Sequence, residues 1–171
     1  MLIRRAEPAD AMEVARVHVR SWQIAYRGLM PDAYLEQLRP EDRAERYDFA
    51  TVDALKPETI LAVEGSAILG FATISPSRDD DLPDHGELCG FYVDPPVWGR
   101  GVGVALMKAA RARLFEKGFG RALLWLLTGN ARALRFYEID GWRPDGCRRA
   151  NQVSSMPVDE IRYVRGLSRI S

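Results

Sequence analysis

A glycine-rich run, Gly99-Arg100-Gly101-Val102-Gly103, follows Asp94-Pro95-Pro96-Val97-Trp98 and opens a segment with apolar residues at helical spacing: Val102, Leu106, Ala109, Ala110 and Leu114. Glycine lets backbone approach a ligand closely and accept positive φ. A helix start adds unpaired N–H groups and a favourable dipole, so the pair suits phosphate oxygens. The run is not a P-loop, which would end in Gly-Lys-Ser/Thr. It is not a dinucleotide fingerprint either, because Leu106 stands where the third glycine after Gly101 and Gly103 would fall. Arg100 is a charge-assisted donor for pyrophosphate or, on the competing reading, a solvent-facing side chain. A glycine-rich helix start that binds nothing is the alternative for the whole run.

A second block, Asn130-x-x-Ala133-x-x-Phe136-Tyr137-x-x-x-Gly141-Trp142, follows the continuous apolar stretch Ala122 to Leu127. Together with Val93-Asp94-Pro95 and Trp98-x-x-Gly101-x-Gly103, it resembles the two motifs of the GNAT superfamily of N-acetyltransferases, in the family's order and spacing. The resemblance is strong from Leu61 to Arg143 and one of layout alone in the preceding residues. One departure is plain: Trp98 replaces the usual Gln or Arg. Because the family loop holds pyrophosphate largely through backbone N–H groups, the expectation is weakened but not abolished binding.

The resemblance implies acetyl-CoA as acyl donor, with no metal. Its binding residues would be Phe91, Tyr92 and Val93 on the preceding strand, then Trp98, Gly99, Arg100, Gly101, Val102, Gly103 and Val104 in the loop. Asn130, Ala133, Phe136 and Tyr137 would complete the set. N–H groups near Phe91 and Val93 would hold the pantetheine arm and polarise the thioester carbonyl, since the family's sheet splays there. Asn130 would bond the pantetheine arm and also serves as a helix N-cap.

Acetyl transfer needs a neutral amine, whereas a lysine-type ammonium has a pKa of about 10.4. A base must take a proton, and the departing thiolate benefits from an acid. The resemblance assigns Glu87 as base, directly or through water, and Tyr137 as acid. Period-two alternation would put Glu87, Cys89, Phe91 and Val93 on one strand face. The competing readings are a solvated strand-start glutamate and a packed core aromatic. Cys89 is a candidate nucleophile, but no histidine is placed by motif to activate it, so direct transfer in a ternary complex is preferred. His18, His85, Cys89 and Cys147 lack metal-ligand spacing.

These residues need a scaffold. Leu2 to Arg5 reads as a strand, Ala9 to Tyr26 as a helix, and Asp32 as the cap of a short helix. A further helix is expected from Pro40 to Phe49. Strands follow at Thr59 to Glu64 and Ala67 to Ser75, then a polar loop from Ser77 to Gly86 and a strand from Glu87 to Val93. The run Asp79-Asp80-Asp81 in that loop is a solvated turn or a lure for a cationic acceptor. A helix to Lys117, a buried strand at Ala122 to Leu127, a helix from Asn130 to Asp140, and strands around Trp142 to Arg149 and Glu160 to Arg165 complete the chain. The order predicts one α+β (mixed α/β) domain over residues 1–171 built on one sheet. The resemblance implies that it is GNAT-like, with a mixed, mostly antiparallel sheet flanked by helices on both faces. Glu87–Val93 and Ala122–Leu127 should form a parallel, splayed pair.

The 24 basic residues equal the 24 acidic ones, so bulk charge points to neither nucleic acid nor membrane. No apolar stretch approaches the ~20 residues that span a bilayer, and Met1 to Arg5 lacks a leader's apolar centre. With two cysteines permitting at most one disulfide, the expected address is the cytoplasm. The resemblance makes a homodimer common among relatives, though no residue here decides it. The acceptor would be a small-molecule amine, with Trp22 and Tyr26 lining its pocket by cation–π contact unless they simply pack the first helix. Acetylation of a protein or peptide, and a non-catalytic acyl-CoA sensor, are the alternatives.

Overall fold

The computed structural model describes residues 1–153 and 155–169. Seven strands form one sheet: β1 (Leu2–Arg5), β2 (Glu58–Glu64), β3 (Ala67–Pro76), β4 (Gly86–Val93), β5 (Arg121–Leu127), β6 (Arg143–Val153) and β7 (Met156–Gly166). Their spatial order is β1-β2-β3-β4-β5-β7-β6. Helices α1 (Ala11–Ala25), α2 (Asp32–Glu36) and α3 (Pro40–Ala44) lie between β1 and β2. Helix α4 (Val102–Glu116) joins β4 to β5, and α5 (Ala131–Ile139) joins β5 to β6.

Alternation along β2 shows how the layers are sorted. Ile60 and Ala62 enter the core shared with α4, while Leu61 and Val63 enter the core shared with α1. Both faces are covered, which explains the unbroken apolar run in this strand. Helix α4 contributes Leu106, Met107, Ala110 and Leu114 to its side, and α1 contributes Val14 and Val17 to the other. Trp142, fully buried, closes the larger core; emptying such a site costs about 3–5 kcal/mol.

All neighbouring strands are antiparallel except β4 and β5, whose connection through α4 is the crossover that a parallel pair requires. That pair is registered only at Gly86↔Ala122 and Glu87↔Leu123. Beyond Glu87 the strands diverge, and the sheet splits.

Three expectations change. The helix starting at Pro40 ends at Ala44, because Tyr47 and Phe49 turn inward and stack on each other at 4.9 Å in the α1-side core. The β3–β4 register steps from Ile74↔Leu88 to Thr73↔Gly90, so Cys89 is the extra residue of a bulge. Simple alternation therefore fails: Leu88, Phe91 and Val93 face the α4 core, whereas Tyr92 packs on the α1 side. The acidic loop is not a free turn. Arg162 of β7 holds Asp79 at 2.9 Å and Asp81 at 2.7 Å, tying the β3–β4 loop across the split to the far half of the sheet.

Candidate active site

The split between β4 and β5 opens into a cleft of about 900 Å³. The Asp94 N–H bonds the Leu69 carbonyl at 2.8 Å, which sets the phase of pairing between β4 and β3. In an antiparallel ladder the alternate residues then turn their N–H groups the other way, so Phe91 and Val93 direct theirs into the split. With no strand opposite, these donors are open to a ligand.

At the end of β4 the loop turns sharply. Gly99 and Gly101 have φ of 79° and 82°, a region costly for any residue with a Cβ, and Gly101 is the left-handed N-cap of α4. The Ala105 N–H bonds Gly101 at 3.1 Å, so the N–H groups of Val102, Gly103 and Val104 precede the first helical bond. The Val102 side chain is buried in the core, and it offers only its backbone. Val104 is exposed at the cleft, while the exposed Arg100 side chain lies outside the cleft wall. A Cβ on Gly103 would meet Phe136 at 3.4 Å, so glycine lets α4 and α5 approach closely.

Trp98 has a structural partner. Its indole N–H donates to the Val93 carbonyl at 2.7 Å, pinning the loop to the strand. Arg132, from α5, lies over the Trp98 ring at 3.8 Å and lines the cleft, placing a cation beside the open helix start. Open N–H groups on a helix start, a neighbouring guanidinium and a split strand edge together fit a pyrophosphate carrying an extended arm.

Asn130 caps α5 by accepting from the Ala133 N–H at 3.2 Å, and its amide also lines the cleft. Tyr137 is 9 % exposed, packed among Phe91, Phe136 and Trp142, and borders the cleft. Burial, with the nearby Tyr92 phenol, pushes its pKa well above the ordinary phenol value. It is thus a protonated donor at neutral pH.

Glu87 lies elsewhere. It is 2 % exposed and beneath the cleft wall, and Arg78 engages both carboxylate oxygens, at 2.6 Å and 3.1 Å, while the Arg78 N–H adds a third bond at 3.0 Å. Both of its oxygens are thus engaged by Arg78. The carboxylate that does line the cleft is Glu160 of β7. Its Oε2 accepts from Arg149 at 2.6 Å and Asn151 at 3.2 Å, and among the described residues Oε1 has no hydrogen bond. Cys89 bonds Ser75 at 3.0 Å, and burial first, then the Glu87 charge, raises its thiol pKa, which disfavours the thiolate.

On the α1 side, Trp22 and Tyr26 meet edge to face at 5.1 Å and line the cleft with Tyr92. Burial raises the pKa of both Tyr26 and Tyr92. Cofactor loop, split strand, Tyr137 and this aromatic wall are therefore one continuous site.

A sequence profile of the Acetyltransferase (GNAT) family matches residues 20–142. The chain belongs to that family. Membership makes it an acetyl-CoA-dependent N-acetyltransferase. An N-acetyltransferase of Archaeoglobus fulgidus is 30% identical over 139 residues, covering 80% of this chain and 89% of the relative. The N-acetyltransferase YuaI of Bacillus subtilis is 27% identical over 136 residues, covering 80% and 76%. Among solved structures, yncA of Salmonella typhimurium with its cofactor acetyl-CoA superposes with a TM-score of 0.72 at 16% identity, over 100% of this chain and 96% of that one.

Several functional candidates of this GNAT protein escape sequence reading. Arg132 sits inside the second motif, two residues after Asn130, and its charge was the available signal. Arg43, Arg78, Arg149 and Glu160 reach the cleft only through chain folding, and no local pattern marks them.

Proposed function

We propose that this GNAT protein transfers the acetyl group of acetyl-CoA directly to the primary amine of a small molecule, with both substrates bound together. The observation that carries this reading is the split of β4 from β5, which joins the phosphate-binding loop and the aromatic wall in one cleft with Tyr137 at its border. Acetyl-CoA, when bound, supplies an activated acetyl thioester. Val102, Gly103 and Val104 N–H groups with Arg132 hold its pyrophosphate. Asn130 and the β4 edge hold its arm. The Phe91 and Val93 N–H groups face the charge that grows on the carbonyl oxygen as the amine adds.

Two carboxylates compete for the role of base, and the geometry favours Glu160 over Glu87. Glu160 borders the cleft with an oxygen that has no hydrogen bond among the described residues, whereas Glu87 is sealed and doubly engaged by Arg78. Glu160 takes the ammonium proton, and the freed amine adds to the thioester carbonyl. As the C–S bond breaks, the attacking nitrogen gives up its second proton, which leaves with the sulfur as CoA thiol. Tyr137 hydrogen-bonds the departing sulfur. Its raised pKa keeps the proton available but makes complete transfer uphill, so the bond itself is the main benefit.

The test is thiol release from acetyl-CoA across amines and peptides, comparing wild type with Glu160→Gln, Glu87→Gln and Tyr137→Phe. Small amines should be turned over. Glu160→Gln and Tyr137→Phe should each lower kcat by roughly 10²-fold while CoA binding persists. If Glu87→Gln alone abolishes turnover in a folded protein, the base is Glu87. Turnover of peptides but no small amines overturns the acceptor class. CoA binding without turnover of any acceptor points instead to a sensor.

A further inference from the structure

The acceptor half of the cleft holds more positive donors than acceptors. Arg43, Arg78 and Arg149 line it, and Glu160 is the carboxylate among its described wall residues. Arg78 is matched by Glu87, and Arg149 by Glu160. Arg43 is different. Its Nε donates to His18 Nδ1 at 3.2 Å, its guanidinium lies 5.9 Å from the Tyr47 ring centre, and among the described residues it has no carboxylate partner. His18 is itself fixed: Tyr47 bonds the same Nδ1 at 2.8 Å, and the imidazole stacks on Tyr92 at 4.4 Å. The guanidinium is thereby anchored against His18 and Tyr47, and Arg43 lines the cleft.

A second donor lies in the same wall. The Trp22 indole nitrogen is buried and, though near the Tyr92 hydroxyl, has no partner at hydrogen-bonding geometry. The indole is sealed beside Tyr92, but a guanidinium that lines the cleft without a carboxylate partner among the described residues suits an anionic group from outside the chain. Glu160, although paired with Arg149, keeps one oxygen without a hydrogen bond among the described residues and can accept from an ammonium there.

We infer that Arg43 is the receptor for an anionic group on the acceptor, so that the amine acetylated by this protein also carries a carboxylate, as an amino acid does. The inference rests on the acetyl-transfer reading above and names its substrate class. A planar guanidinium pairs with a carboxylate through two parallel hydrogen bonds, a geometry that a polyamine or a simple alkylamine cannot use. Arg43 acts in binding, not in bond breaking, and its loss should appear mainly in KM.

The experiment compares amino acids with their carboxamides, and with aminoalkyl phosphonates of like length, as acceptors for wild type, Arg43→Gln and Arg43→Lys. Equilibrium binding of the same compounds to the CoA-saturated protein is measured in parallel, after circular dichroism and CoA affinity establish that each variant folds. Wild type should favour the carboxylate over the carboxamide by roughly tenfold or more in kcat/KM. In Arg43→Gln that ratio should fall toward one through KM, and Arg43→Lys should restore part of it. A preference for phosphonate over carboxylate overturns the carboxylate assignment. Turnover of amines with no carboxylate preference, or a ratio unchanged in Arg43→Gln, overturns the inference and leaves acetyl transfer standing. Carboxylate-dependent binding lost in Arg43→Gln, without turnover, upholds the receptor and overturns the transfer reading. Absence of both preferential turnover and preferential binding overturns it.

Discussion

Trp98 donates its indole N–H to the Val93 carbonyl at 2.7 Å, and this bond joins the cofactor loop to the strand whose neighbouring N–H groups face the split. A bulky aromatic in a loop that commonly carries Gln or Arg therefore serves as a brace. It also supports Arg132, stacked at 3.8 Å, which restores a cation to the loop's edge. Trp98→Phe keeps the ring and removes the donor; the loss of about 1 kcal/mol should weaken CoA binding severalfold. Trp98→Ala should weaken it further by releasing Arg132. Calorimetric titration with CoA decides the matter, and Trp98→Ala binding at wild-type strength would remove the brace from the account.

Arg162 is a second brace, on the opposite side of the split. Its side chain is 6% exposed and bonds Asp79, Asp81 and Asp145 at 2.7–2.9 Å. Replacing it strands Asp79 and Asp145, whose side chains are largely buried, and should destabilise the fold by more than about 1 kcal/mol. Urea unfolding of Arg162→Met should show that loss at neutral pH, with part of it recovered in acid as the carboxylates protonate. A difference from wild type below about 1 kcal/mol would place these pairs among ordinary surface contacts.

The Glu87–Arg78 pair yields an asymmetric prediction. The Glu87 side chain is 2% exposed and the Arg78 side chain 66% exposed. Arg78→Ala leaves a carboxylate sealed without its partner, whereas Glu87→Gln leaves an arginine free to enter solvent. Arg78→Ala should thus be the more destabilising at pH 7, by more than about 1 kcal/mol. Paired chemical denaturation curves test the order, and a reversed order rejects the brace reading of Glu87.

Stability should also fall in mild acid because of His18. Burial, followed by the charge of Arg43, lowers its pKa to about 2. The unfolded chain takes a proton near pH 6.5 that the folded chain refuses, so the contribution is complete above about pH 6.5 and declines as pH falls towards 2. The slope is about 1.4 kcal/mol per pH unit for one proton. Between pH 6.5 and 5, before most carboxylates titrate, His18→Gln should flatten the wild-type slope by close to that amount. Parallel slopes for the two proteins would mean that His18 is charged in the fold.

Much of the glycine-loop half of the cleft was legible in the chain itself. Glycines near Trp98, the apolar spacing of α4 and the block from Asn130 to Trp142 encode local backbone geometry, and local geometry repeats wherever those residues recur. The parallel, splayed pairing of β4 with β5 followed from the family resemblance, not from local geometry. What misled the linear reading were long-range effects. One extra residue at Cys89 broke the alternation of β4, and Asp79 and Asp81 proved to be partners of Arg162.

The amino-acid sequence by itself determined the family, most of the elements and the glycine-rich start of α4, since each depends on contacts within a few residues or on period-two and helical patterns. Only the tertiary structure decided which charges meet. It closed Arg78 over Glu87, brought Glu160 to the cleft beside Arg149, and, among the described residues, anchored Arg43 on His18 without a carboxylate. Such pairings depend on where distant elements cross, and hydrogen-bond distance between side chains from different elements leaves no period in the chain.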